Sequence, residues 1–143
     1  MSINLITPED EKEIVSAIQE AEKNTSGEIR VHIEKECKED VFSRAKNVFE
    51  YLKMHETELK NGVLFYVSTI DRRFYILGDQ GINKVVTDDF WESTKEVVIA
   101  HFKKEQFKQG LVEGILKAGE QLKKFFPYAT DDINELSDEI SRG

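Results

Sequence analysis

The sequence predicts an α/β fold, a three-layer α/β/α sandwich with a small mixed sheet. Three observations predict it. The apolar pattern switches between helical and strand periods in the order α-β-α-β-β-α-α. The two central strand candidates, residues 63–67 and 74–77, are apolar on both faces, which demands cover on both sides of the sheet. Only residues 68–72 separate them, too few for a crossover helix, so they form an antiparallel hairpin. The strand–helix–strand unit before them forms a parallel crossover.

The first helix opens in "TPEDEKEIVSAIQEAEKN" with Thr7 as N-cap, Pro8 at the first helical position, and Glu9 and Asp10 where the helix dipole favours acids. Ile14, Ala17, Ile18 and Ala21 share one face. "SGEIRVHIE" then alternates, Ile29, Val31 and Ile33 one way and Glu28, Arg30, His32 and Glu34 the other, a strand with one wetter face. Helical spacing returns through Val41, Phe42, Ala45, Val48, Phe49 and Leu52. After the hairpin, Phe90, Thr94, Val97, Val98 and His101 mark one long helix, and Phe107, Leu111, Ile115, Ala118, Leu122 and Phe125 a second, broken near Gln106. Residues 1–127 read as one domain. Residues 128–143 read as an acidic extension, loosely attached or disordered.

Bulk composition narrows the partners. A net charge of −8 argues against nucleic acid or an anionic bilayer, which both demand clustered Lys and Arg. It permits a divalent cation or a basic protein partner. Cys37 is the single cysteine, so no intramolecular disulfide or thiol metal cluster forms, and the residue reads as incidental and partly exposed. The N-terminal stretch has neither a basic nor an apolar signal region, and no apolar run is long enough to insert in a membrane, so a soluble, cytoplasmic chain is expected.

Familiar catalytic motifs are missing: no phosphate-binding GxxxxGK[ST], no GxSxG elbow, no HExxH. "GDQG" at 78–81 differs from the GDxHG step of two-metal phosphoesterases by its glutamine, and "DDINELSDE" lacks the glycine of an EF-hand loop. His32 reads as a surface residue and His101 as a histidine at the core boundary. Oxygen donors remain. Glu28 starts the first strand, Asp71 sits in the hairpin, Asp79 ends the third strand, and Asp88 and Asp89 precede a helix. A parallel first pair gathers Glu28, Asn61 and Asp79 at one sheet end, within reach of Asp88 and Asp89, and sends Asp71 to the other. Such hard ligands suit calcium or magnesium. Helix capping competes for the same residues: Asp89 with Glu92 fits a weakened capping box, and Gly78 and Gly81 suit a turn out of the strand. A capping aspartate still leaves a second oxygen for a metal, so both readings stand.

"SGEIRVHIE", "NGVLFYVSTIDRRFYILGDQGI", "DDFW" and "FKQGLVEGI" followed by "FP" resemble the TPM domain family over about residues 9–127. That family includes thylakoid-lumen proteins of photosystem II repair and many bacterial proteins. The resemblance implies an α/β/α sandwich, acid phosphatase activity as proposed for plant members, and calcium binding in some members. By resemblance, Glu28, Asn61, Asp71, Arg72, Gly78, Asp79, Gly81 and Trp91 occupy motif positions. Many members carry a signal peptide, a membrane anchor after the domain and often a Gly-rich tail. The expectation here is a chain without these three, with an acidic C-terminus in their place. Three functions follow: a calcium-binding module, with Asp79, Asp88, Asp89 and Glu28 as ligands; an adaptor whose acidic tail meets a basic partner; and a metal-assisted phosphatase with Arg72 or Arg73 as charge clamp.

Overall fold

The computed structural model describes residues 6–128 and 136–143. Their elements are α1 (Pro8–Glu22), β1 (Glu28–Glu34), α2 (Val41–Tyr51), a single 3-10 turn (Met54–Glu56), β2 (Gly62–Ser68), β3 (Arg73–Gly78), α3 (Gln80–Asn83), α4 (Glu92–Lys103), α5 (Phe107–Leu122) and β4 (Ser141–Arg142). The sheet order is β3-β2-β1-β4. β1 runs parallel to β2, and β2 antiparallel to β3, as the short hairpin requires.

Strand β2 is buried along its whole length, and its alternate side chains enter two cores. Val63, Phe65 and Val67 join Ile29, Val31 and Ile33 beneath α1, α4 and α5, where Ile14, Ile18, Val98, Leu111 and Ile115 are buried. An aromatic run from Phe65 through Phe74 and Phe102 to Phe107, with ring centroids 5.9, 5.6 and 4.9 Å apart, ties sheet to helices. On the opposite face Leu64 and Tyr66 meet Ala45, Val48 and Phe49 of α2, with Met54 and Leu136. Helices on both faces make the sandwich. Helix α1 begins in a complete capping box: the Asp10 amide donates to Thr7 Oγ1 (3.1 Å) and the Thr7 amide to Asp10 Oδ2 (3.0 Å).

Four expectations need correction. The "wetter" face of β1 is covered: Glu28, His32 and Glu34 are all buried, because Tyr66, Arg44 and the returning C-terminus lie over them. Cys37 is buried as well, donating from Sγ to the Glu39 carbonyl (3.1 Å). Residues 136–143 are not a loose extension. Leu136 is buried, β4 pairs with β1 at His32 and Ile33, and the Arg142 guanidinium reaches Glu11 (2.9 Å from Nε). Residues 129–135 of that predicted extension lie outside the described residues. Finally, α4 starts at Glu92 with Trp91 as N-cap, so neither Asp88 nor Asp89 caps it. Of the candidate site aspartates, Asp79 is the one that caps a helix, the short α3.

Candidate functional site

The sheet end that gathers the N-termini of β1 and β2 carries the acids. Glu28 pairs in register with Gly62, and the Asp79 amide donates to the Gly62 carbonyl (3.0 Å). Glu28, Gly62 and Asp79 therefore form one row across three strands. Side-chain contact along the row is interrupted, since the space over Gly62 is taken: a Cβ there would lie 3.4 Å from the Met54 carbonyl oxygen and 3.5 Å from Leu136 Cδ1.

On one side of Leu136 the acids are engaged. Glu28 Oε1 accepts from the Leu136 amide (2.7 Å), and Glu22 Oε2 accepts from the Ile29 amide (3.0 Å). Burial, a hydrogen bond to Asp138 and the charges of Asp138 and Glu28 push the Glu22 carboxyl up to about 9, outweighing the Ile29 amide. Glu22 thus holds a proton at neutral pH.

Asp79 lies on the other side. Its Oδ1 accepts from the Gln80 amide (2.7 Å), and its backbone carbonyl accepts from the Ile82 (3.0 Å) and Asn83 (3.1 Å) amides. Its Oδ2 is buried with no hydrogen-bond partner among the described residues, and the residue is only 7% exposed. Thr57 Oγ1, in the loop before β2, is likewise buried without a partner among the described residues. That loop presses on α3: the Gly81 amide donates to the Lys60 carbonyl (2.8 Å), and a Cβ on Gly81 would sit 2.3 Å from the Leu59 carbonyl oxygen. Gly81 is needed for this close approach, not for a left-handed turn, since no glycine among the described residues has positive φ.

The other motif positions separate. Asn61 is buried and donates to the Ser26 carbonyl (3.2 Å). Asp88 and Asp89 are exposed on the turn before α4, where Asp89 accepts from the Thr87 hydroxyl. Trp91 is half-buried, with its ring 4.6 Å from Phe90. Asp71 and Arg72 sit at the hairpin, separated from Asp79 by the whole of β3, about 17 Å long by strand rise. Asp71 binds the Cys37 amide (3.0 Å) and the Ser68 hydroxyl; these bonds outweigh burial and hold its carboxyl below the usual range. Arg72 pairs with Glu105 (2.6 Å). Among the described residues no three His, Cys, Asp or Glu side chains converge as a metal cluster.

A second constellation escapes sequence reasoning. Glu34 accepts from Arg44 Nε (2.9 Å) and Nη2 (2.8 Å), from the Tyr66 hydroxyl and from His32 Nε2 (3.0 Å). His32 Nδ1 meets Ser141 Oγ (2.9 Å), and its ring stacks on Tyr66 at 5.8 Å. Burial pushes Glu34 up, but Arg44, Tyr66 and His32 overcome it and hold the carboxyl at about 2. Burial lowers His32 despite Glu34, and burial with the Glu34 bond raises Tyr66. Every heavy-atom acceptor of the carboxylate is engaged, so the network clamps α2 and the C-terminus to β1. His101 is a satisfied boundary histidine, bonded to the Val97 carbonyl (2.9 Å) and Glu113 (2.9 Å).

A sequence model of the TPM domain matches residues 2–121. The chain belongs to the TPM domain family. It is similar to the BA42 protein from the psychrophilic bacterium Bizionia argentinensis, with 58% identity over 96% of this chain and 95% of that one, and a TM-score of 0.92. The TPM fold is shared at lower identity with the N-terminal domain of a P. gingivalis protein (16% identity, TM-score 0.70, covering 87% of this chain and 81% of that one). The N-terminal domain of cg2496 from Corynebacterium glutamicum shares it too (12%, TM-score 0.62, covering 94% and 79%). None of the curated proteins searched matches. Among the described residues no helix is long and apolar enough to cross a membrane.

Proposed function

We propose that this TPM domain is a divalent-cation-binding module, with calcium as the ion and Asp79 as its anchoring ligand. The carrying observation is Asp79 Oδ2, a buried carboxylate oxygen with no hydrogen-bond partner among the described residues. A buried acceptor left unsatisfied costs roughly 1–3 kcal/mol, more for a charged group, and a cation would remove that cost. Calcium accepts six to eight oxygens, including backbone carbonyls and water, whereas magnesium keeps most of its water. The Leu59 and Lys60 carbonyls, drawn against Gly81 two residues along the chain from Asp79, are oxygens of the right kind. Glu28 already accepts from Leu136, and Asp88 and Asp89 are exposed, so these three would serve as outer contributors. One buried carboxylate makes a site of low charge, with a dissociation constant expected at about 10⁻⁴–10⁻³ M.

Binding is favoured over metal-assisted phosphoryl chemistry by distance. The arginines that would clamp a phosphoryl group sit at the hairpin, at the other end of β3 from Asp79. Calorimetric titration of chelator-treated protein with calcium, with magnesium as control, tests the reading. Saturable heat that Asp79→Asn abolishes supports it. Equal heats for the wild type and the variant remove Asp79 from the site.

A further inference from the structure

Strand β3 ends the sheet, and among the described residues no strand pairs with its outer side. The opposite edge is closed by β4, the chain's own C-terminus. An open strand six residues long is a template for another chain, and proteins usually blunt such edges with proline, lysine or a covering segment. β3 carries only Arg73 at one end, and then Phe74, Tyr75, Ile76 and Leu77, all half-buried where the paired β2 is wholly buried.

A groove of about 500 Å³ straddles this edge. Val41 lines it from the α2 layer, and Ile99, Phe102 and Lys103 line it from the α4 layer, with Phe74 between them. It therefore wraps around the side of the sheet instead of lying on one face. Arg72, Arg73 and Lys103 give it three cations in a molecule whose net charge is −8. Arg72 and Arg73 have exposed internal partners, Glu105 (2.6 Å) and Asp71 (3.6 Å), while Lys103 makes no ion pair among the described residues. On the other face of the edge, Phe42 is 44% exposed and its ring lies 5.5 Å from Tyr75.

We propose that the free edge of β3 binds an extended acidic segment of a partner protein by strand addition. The partner's backbone takes up the open hydrogen-bonding groups of β3. Its alternate side chains fall on Phe74 and Ile99 to one side and on Tyr75 and Phe42 to the other. Its carboxylates meet Arg72, Arg73 and Lys103. This inference is independent of any cation at Asp79, which lies beyond the far end of the strand.

The test is an amide NMR titration of the full chain with a blocked ten-residue peptide of alternating Glu and Val. A Lys–Val peptide and a Glu–Val peptide N-methylated at alternate residues serve as controls. The expected result is saturable shifts across the amides of residues 73–78, absent with both controls. Arg73→Glu with Lys103→Glu should weaken binding about tenfold or more, in line with the loss of two partly exposed charge contacts. Arg73 and Lys103 are both exposed, and Arg73→Glu alone provides a milder version if the double variant loses its dispersed spectrum. Shifts away from β3, or equal binding of the Lys–Val or N-methylated peptide, overturn the proposal. So does sedimentation showing a dimer of the protein alone that Arg73→Glu dissociates, because the occupant is then a second copy.

Discussion

Arg44→Ala removes the guanidinium fork from a buried carboxylate and leaves it the Tyr66 hydroxyl and His32. Glu34 is 6% exposed at its side chain, and Arg44 supplies bonds of 2.9 and 2.8 Å to its two oxygens. Breaking a buried pair costs about 3–5 kcal/mol. Arg44 is 34% exposed at its side chain, and Tyr66 and His32 stay in place, so the expected loss is roughly 2–3 kcal/mol. For a chain of this size that lowers the thermal midpoint by roughly 6–10 °C. The pH dependence is more specific. In the folded protein Glu34 titrates at about 2 instead of 4.5. Its contribution is therefore fully present above 4.5 and lost as pH falls toward 2, a span worth about 3 kcal/mol. Without Arg44 the carboxyl loses its strongest lowering partner and rises, and this acid arm of the stability profile flattens. Urea unfolding followed by circular dichroism between pH 2 and 7 reads both effects. A variant within 0.5 kcal/mol of the wild type at pH 7, or one with an unchanged acid arm, would refute the clamp.

Glu22→Gln tests the crowded acids. Its raised carboxyl costs stability as pH climbs from 4.5 toward 9, because the unfolded chain ionises first. The amide should therefore stabilise by about 1 kcal/mol or more at pH 8 and change nothing at pH 4, read from thermal midpoints at both. Gly81→Ala would drive a methyl to within 2.3 Å of the Leu59 carbonyl oxygen, so a loss of about 1–3 kcal/mol is expected by urea titration. Leu136→Ala should cost about 2–3 kcal/mol by the same measurement, a value near zero showing that the C-terminus does not hold its place in the second core.

The fold was legible where local pattern and global packing agree. Thr7, Pro8 and Asp10 announce α1, the two-sided apolar run at 63–67 announces a covered strand, and 68–72 allow nothing but a hairpin. The rule that failed was alternation on β1. Glu28, His32 and Glu34 read as wet because a polar period-two face usually is. Their partners come from 10, 32 and 109 residues away, a distance no local pattern spans. β4 escaped for a related reason: a two-residue strand has no period to detect. The grouping of Glu28, Asn61 and Asp79 at one sheet end followed from topology and stands. That Leu136 fills the space above Gly62, dividing Glu28 from Asp79, depends on a tail whose return the composition did not signal. Asp88 and Asp89 carried a capping pattern, yet the turn through Phe90 and Trp91 delays α4 until Glu92.

The most direct test of the cation site is an amide NMR titration of chelator-treated protein with calcium. Saturable shifts centred on residues 79–82 and on the 59–61 loop, lost in Asp79→Asn, are the predicted result. Shifts confined to the exposed turn at Asp88 and Asp89, or no shift at millimolar calcium, would contradict an ion anchored on Asp79.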